Sequence, residues 1–275
     1  MSPRRLPPLP VRDGLGPARL RLQGGNVADE FERRFGPDGR AKVLAGEVVD
    51  ADGTLIDAAA ALPAGAHVFL YRELPDEVEV PFGVPVLYRD ENIVVVDKPH
   101  FLSTMPRGAH VAQTAVVRMR RSLGLPELSP AHRLDRLTAG VLLFTVRREV
   151  RGAYQTLFAA GAVSKTYHAV AEGIPAVSLP VTVRNRIVKQ RGVLQAFVEP
   201  GEPNAETLVE PLGGDRYRLT PRTGRTHQLR VHMAGLGVPI AGDPLYPVIK
   251  DVAADDFSTP LQLLAHSLSF VDPLT

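Results

Sequence analysis

The run Ala131-His132-Arg133-Leu134-Asp135-Arg136-Leu137-Thr138-Ala139-Gly140-Val141-Leu142-Leu143-Phe144 constrains this chain more than any other stretch. It sets one carboxylate, Asp135, between two arginines and then passes at once into an apolar segment that reads as a buried strand. A carboxylate beside guanidinium groups is favoured in its ionised form and can serve as a nucleophile or a base. An Asp–Arg dipeptide at a strand entrance also reads more simply as an ion pair, so the rest of the chain has to decide between the two.

The length of 275 residues allows one large domain or two smaller ones with an ample core. Hydrophobic residues at 44% and charged residues at 23% match a soluble globular protein. No apolar run approaches the roughly 18 residues of a membrane span. Arg4 and Arg5 precede no apolar stretch, so no secretory signal is expected. Cysteine is absent, which excludes disulfides and thiolate metal sites and suits a cytoplasmic location. The net charge of +2 does not by itself argue for nucleic acid. Its distribution is more telling: basic residues crowd 107–136, 184–191 and 216–232, and the last two segments contain no acid. Each can be a solvated face, or the three can converge on one phosphate-binding surface.

Residues 1–24, rich in Pro, Arg and Gly, read as an N-terminal tail, loose or partly docked. Residues 25–80 read as a small unit with its linker. Val27, Phe31 and Phe35 share one helix face, 45–54 reads as a strand with a tight turn at Asp52-Gly53, and 65–71 reads as a strand. The acid-rich, Pro-containing stretch 73–85 reads as the linker. Residues 81–275 form the main domain. It opens with strands at 86–89 and 93–98, followed by helices over 111–123 and 149–160, strands at 165–171 and 217–220, and a helix capped by Thr226. Strands mixed irregularly with helices, without a steady βαβ repeat, predict an α+β domain around a mixed sheet.

Two further segments carry chemistry. Ser164-Lys165-Thr166-Tyr167-His168-Ala169-Val170 places a tyrosine in a strand, where it is either a packing residue or a ring that stacks on a base and moves a proton. Lys165 beside it is a phosphate contact or a solvated charge. Leu219-Thr220-Pro221-Arg222-Thr223-Gly224-Arg225-Thr226-His227-Gln228-Leu229-Arg230-Val231-His232 leads a Gly turn into a helix N-terminus, a natural anion site. His227 and His232 are five apart and lie on different helix faces, and no ligand cluster accompanies them, so no metal is expected.

The three strings in this order resemble the motifs of the RluA-type RNA pseudouridine synthases, over roughly residues 86–275. The resemblance implies a pseudouridine synthase fold, with a central mixed, largely antiparallel sheet flanked by helices. It implies isomerisation of uridines in ribosomal or transfer RNA after the target nucleotide is flipped out, with no cofactor or metal. Asp135 matches the catalytic aspartate, Tyr167 the active-site tyrosine and Arg230 the arginine paired with that aspartate, with Arg225 as second choice for the pairing. Arg133 matches a residue that fills the space left by the flipped nucleotide. Arg136, Lys165, Arg222, Arg225 and His227 complete the expected RNA-binding set. His132 and the segments 237–246 and 264–266 are expected to be scaffold. The order of elements in 25–80 faintly resembles an S4 RNA-binding module, but the eight acids against five bases in residues 25–72 fit a structural appendage equally well. The partner is therefore RNA, the chain is expected to be a monomer away from membranes, and the rival readings are a non-catalytic RNA-binding factor or a glycoside hydrolase. The hydrolase is disfavoured because hydrolysis ordinarily needs a second carboxylate to activate water.

Overall fold

A computed structural model describes residues 7–74 and 76–275. The chain forms two compact units, one ending at residue 75 and one spanning Asp76–Thr275.

In the first unit, β1 (Ala18–Arg21) leads through β2 (Gly25–Asn26) into helix α1 (Val27–Leu44), then β3 (Ala61–Leu62) and β4 (His67–Leu70). The antiparallel pair β1–β4 draws residues 18–21 into the unit, so the expected tail is shorter than residues 1–24; residues 1–6 of that tail lie outside the described residues. Asn26 caps α1 by accepting from the Asp29 N–H at 3.0 Å. Val27 and Phe31 face the core as expected, but Phe35 is exposed because Gly36 (φ 74°) and Pro37 kink the helix directly after it. The expected strand at 45–54 reduces to single bridges from Val49 to Leu55 and Phe69.

The second unit is built on one large sheet. Its elements are β5 (Val86–Arg89), β6 (Ile93–Lys98), α2 (Ala115–Leu123), β7 (Ser129–Pro130), β8 (Ala139–Thr145), α3 (Arg148–Ala159), β9 (Ser164–Val170), β10 (Val181–Val188), β11 (Phe197–Glu199), β12 (Ala205–Gly213), β13 (Arg216–Pro221), α4 (Gln228–Gly235) and β14 (Leu263–Ser269). Among the described residues the strand order is β11-β10-β12-β13-β9-β14-β8-β6-β5, with β7 beside β8. Every pairing is antiparallel except β14–β8, which agrees with the expected mixed, largely antiparallel sheet. The expected linker is tied down from Glu77 onward. The Glu77 carboxylate accepts from the N–H groups of Val111, Ala112 and Gln113 at 2.6–3.0 Å, and Arg118 donates to the carbonyls of Val80 and Phe82.

The parallel junction positions the signature run. Strand β8 is buried along nearly its whole length because it lies inside the sheet, between β14 and β6. β14 meets β8 over only two residue pairs, Leu264 with Ala139 and Ala265 with Gly140. Gly140 has φ 108°, and a Cβ there would lie 2.8 Å from Ala265 N and 2.9 Å from its carbonyl carbon, both backbone atoms that cannot turn aside. The glycine of Thr-Ala-Gly is thus required where two strands join five residues after Asp135. Gly140→Ala is expected to lower stability by about 2–3 kcal/mol or more, read as a fall in the urea midpoint with an unchanged slope.

Candidate active site

Asp135 sits half-buried in the loop that enters β8, on the wall of a cleft of about 620 Å³. The backbone on both sides of it is anchored from one segment, Lys98 to Thr104. Thr104, itself buried, donates through Oγ1 to Leu134 O at 2.8 Å and accepts from Leu134 N–H at 3.1 Å. Lys98 donates to the carbonyls of Pro99 and Leu102 at 2.8 Å each and of Arg136 at 3.4 Å. His100 Nδ1 lies 2.8 Å from Leu137 O. The turn closes on itself through Thr138 N–H to Asp135 O at 3.1 Å. Upstream, His132 Nε2 accepts from Leu143 N–H at 3.1 Å and the ring stacks on Phe158, its centroid 4.5 Å away. Burial pushes the His132 pKa down to about 3, so this ring is a neutral structural acceptor, as expected.

Lys98 is the residue here that sequence reasoning missed. It was legible only as the end of a strand stopped by Pro99. Its side chain is fully buried, and burial pushes its pKa down to about 7, with Asp135 and Asp97 opposing the shift and Arg136 reinforcing it. Its three carbonyl partners match the three donors of an ammonium group.

Tyr167 lies on β9, opposite Leu219 of β13, and lines the cleft. Burial, reinforced by the negative charge of Asp135, pushes its phenol up to about 12, so the hydroxyl keeps its proton at neutral pH. Residues directly paired across strands share a face. The cleft therefore lies on the Tyr167–Leu219 face, while Arg216 and Arg218 project from the other face. Arg184 is on that far side as well: it pairs across strands with Glu206 and binds it at 2.9 Å. The three basic segments accordingly do not merge into one surface. Arg133, Lys165, Arg222, Arg225, His227 and Arg230 reach the cleft, whereas Arg136 is not among its lining residues and donates instead to Phe101 O at 3.4 Å.

The third motif forms the opposite wall. Its turn is organised by Gln228, another residue the sequence did not single out. The amide oxygen accepts from Thr223 Oγ1 at 2.7 Å and Arg225 N–H at 3.0 Å, and the amide nitrogen donates to Glu206 O and Thr207 Oγ1 at 2.9 Å each. Lys165 donates to Thr223 O at 3.2 Å, linking the second and third motifs. Helix α4 starts one residue later than expected, with His227 rather than Thr226 as its N-cap. His232 is held through both ring nitrogens, to Thr207 and Asn185 at 2.9 Å, in a buried structural position.

Arg230 requires a correction. Its expected pairing with Asp135 is not present. Nε and Nη2 instead hold the Asp243 carboxylate at 2.7 and 2.5 Å, in a fork-to-fork pair buried on both sides. Asp243 also accepts from the N–H groups of Leu245 and Tyr246, so it is fully engaged. No described residue hydrogen-bonds the Asp135 carboxylate. The Gly-Asp-Pro stretch read as scaffold thus supplies the true partner of Arg230, a long-range pairing with no local sequence signal.

The chain matches the family model described as RNA pseudouridylate synthase over residues 92–235, which takes in all three motifs. It belongs to the RNA pseudouridylate synthase family. Its reaction is the isomerisation of uridine in RNA to pseudouridine. A tRNA pseudouridine synthase C of Vibrio parahaemolyticus is 33% identical over 216 residues, covering 71% of this chain and 87% of that protein. The dual-specificity RNA pseudouridine synthase RluA of Haemophilus influenzae is 32% identical, covering 69% and 88%. Among solved structures, human RNA Pseudouridylate Synthase Domain Containing 1 superposes with a TM-score of 0.55 at 26% identity, covering 70% of this chain and 80% of that one. No helix among the described residues is long and apolar enough to cross a membrane.

Three outcomes follow for this synthase. Replacing Lys98 by Met keeps the stem but removes every donor, leaving three carbonyls unserved; stability should fall by about 2 kcal/mol or more. In the native protein the Lys98 amine titrates near 7 rather than 10.5. Between those values the unfolded chain binds the extra proton, so stability attributable to Lys98 rises with pH across that window, and Lys98→Met should remove this slope. Asp243→Ala strands the buried Arg230 charge and should cost about 3–5 kcal/mol in denaturant unfolding.

Proposed function

We propose that Asp135 is the catalytic carboxylate, that Tyr167 stacks on the extruded base and handles its proton, and that Arg133, Lys165, Arg222 and Arg225 hold the phosphates of a ribosomal or transfer RNA. The single observation that carries this reading is the cleft itself. It gathers residues of all three motifs around one carboxylate that no side chain has claimed.

The reaction needs no second reactant. The N1–C1′ bond breaks, the uracil turns while still held, C5 bonds to C1′, and the proton lost from C5 is balanced by one gained at N1. A carboxylate can support this by attacking C1′ or by assisting proton removal and stabilising positive charge there. Either course is served by an Asp135 whose backbone is fixed and whose oxygens are not engaged. A phenol that stays protonated at neutral pH offers both a stacking face and a hydroxyl for proton transfer. Arg230 acts one step back: locked to Asp243, it ties α4, on the cleft wall, to the Gly-Asp-Pro turn.

The relatives carry names assigning them to transfer RNA, to the ribosomal large subunit, or to two substrates. For this chain we take a uridine of either RNA as the target. The test is single-turnover pseudouridine formation on unmodified ribosomal and transfer RNA transcripts. Asp135→Asn should abolish it with the melting temperature and RNA affinity retained; activity within tenfold of wild type would remove Asp135 from its role. Tyr167→Ala should weaken RNA binding by about 1–3 kcal/mol while Tyr167→Phe keeps it; equal binding by the two would make Tyr167 a packing residue.

A further inference from the structure

His227 lines the cleft, and the chemistry above gives it no task. It sits directly before α4 in a left-handed conformation (φ 60°) that turns its ring against Tyr246. His227 Nδ1 is 2.9 Å from Tyr246 Oη. The same phenol oxygen accepts from Ala196 N–H at 2.6 Å and donates to Ala196 O at 2.9 Å, with Ala196 and Tyr246 both buried.

These contacts decide the tautomer. A phenol has one proton to give. No other described residue donates to the buried Ala196 carbonyl, which needs a partner. The phenol proton therefore goes to Ala196 O, and Tyr246 Oη is an acceptor for Ala196 N–H and His227 Nδ1–H. Burial lowers the His227 pKa, with Arg230 and Lys189 acting in the same direction and Asp135 and Asp243 opposing. The neutral ring, protonated at Nδ1, carries its lone pair on Nε2. No described residue hydrogen-bonds Nε2, so this cleft-lining ring keeps an unoccupied acceptor in addition to the Asp135 carboxylate.

The ring and Asp135 line the same cleft. If Asp135 works at C1′ of the target nucleotide, the hydrogen-bond donor nearest that carbon is the 2′-hydroxyl, one carbon away. The N3–H of uracil is two ring bonds from the glycosidic nitrogen and so is farther from C1′ than the 2′-hydroxyl. We infer that His227 Nε2 accepts a hydrogen bond from the 2′-hydroxyl of the target nucleotide, so that the relay Ala196–Tyr246–His227 makes the cleft selective for ribose. A 2′-hydroxyl is the group by which a protein tells RNA from DNA at a single position. The inference rests on the assignment of the cleft to uridine isomerisation.

The test uses the full chain and a hairpin RNA in which the wild type forms pseudouridine, prepared with uridine, 2′-deoxyuridine or N3-methyluridine at that position. Affinities are measured in an Asp135→Asn background to prevent turnover. The uridine hairpin should bind roughly three- to tenfold more tightly than the deoxyuridine hairpin, the worth of one hydrogen bond. His227→Gly, which suits the left-handed backbone, should bind both with the affinity of the deoxyuridine form. Nitrogen NMR of the wild type should show Nδ1 protonated and Nε2 bare, a reading that needs no variant to fold. A ring protonated at Nε2, or a ribose preference that is absent or survives His227→Gly, overturns the inference. So does a His227-dependent loss confined to the N3-methyl hairpin, which would assign the acceptor to the base. Pseudouridine formed without ribose preference defeats this inference alone; no pseudouridine in any transcript defeats the underlying assignment and this inference with it.

Discussion

The structure depends on how one short loop is held. Asp135 stands between two hydrogen-bonded backbone stations, Leu134 and Arg136, fastened by Thr104 and Lys98 respectively, and His100 adds a third at Leu137. All three tethers come from the segment that leaves β6, the strand paired with β8. The loop's entrance and exit are thus fixed to the same sheet. In the role proposed for Asp135, a carboxylate contributes by being placed beforehand rather than by being free to move. The arrangement also buries the Lys98 amine, and its three carbonyl partners offset the cost of desolvating it.

A division of labour among the charges follows from strand alternation. Residues of β9 and β13 that share the Tyr167 face build the cleft, and the arginines one step out of phase, Arg216 and Arg218, are on the far face. Arg218 and Arg184 face glutamates there. The cationic side chains on the cleft wall come mainly from loops, through Arg133, Arg225 and Arg222, the last of which shares Glu206 with Arg184, and from Lys165 near the start of β9. Arg230 is the exception: it is buried, fully paired and part of the scaffold.

The sequence made the chemistry more legible than the framework. Motif order singled out Asp135 and Tyr167, which the fold brings to one cleft, and alternating or apolar runs marked β9 and β13, because these signals are local. Lys98, Gln228 and Asp243 escaped notice because their meaning is relational. A lysine before a proline, a glutamine in a helix and an aspartate in a Gly-Asp-Pro turn carry no local mark of the partners they find 38, 21 and 13 residues away. The same limit explains the Arg230 error: a resemblance supplied a partner, and a buried carboxylate from another turn took that place. Phe35 was misplaced for a local reason, since periodicity ran through Gly36-Pro37 although those residues break the helix.

As proposed, the cleft rearranges a nucleotide without admitting water or releasing the base. Product analysis of RNA incubated with the full chain tests it most directly, by digesting the RNA to nucleosides and separately assaying free base. The account predicts that uridine is lost from specific positions with an equal gain of pseudouridine, and that no uracil appears in solution. Release of free uracil would mean hydrolysis, and unchanged RNA bound tightly in the cleft would mean recognition without catalysis; either result would contradict it.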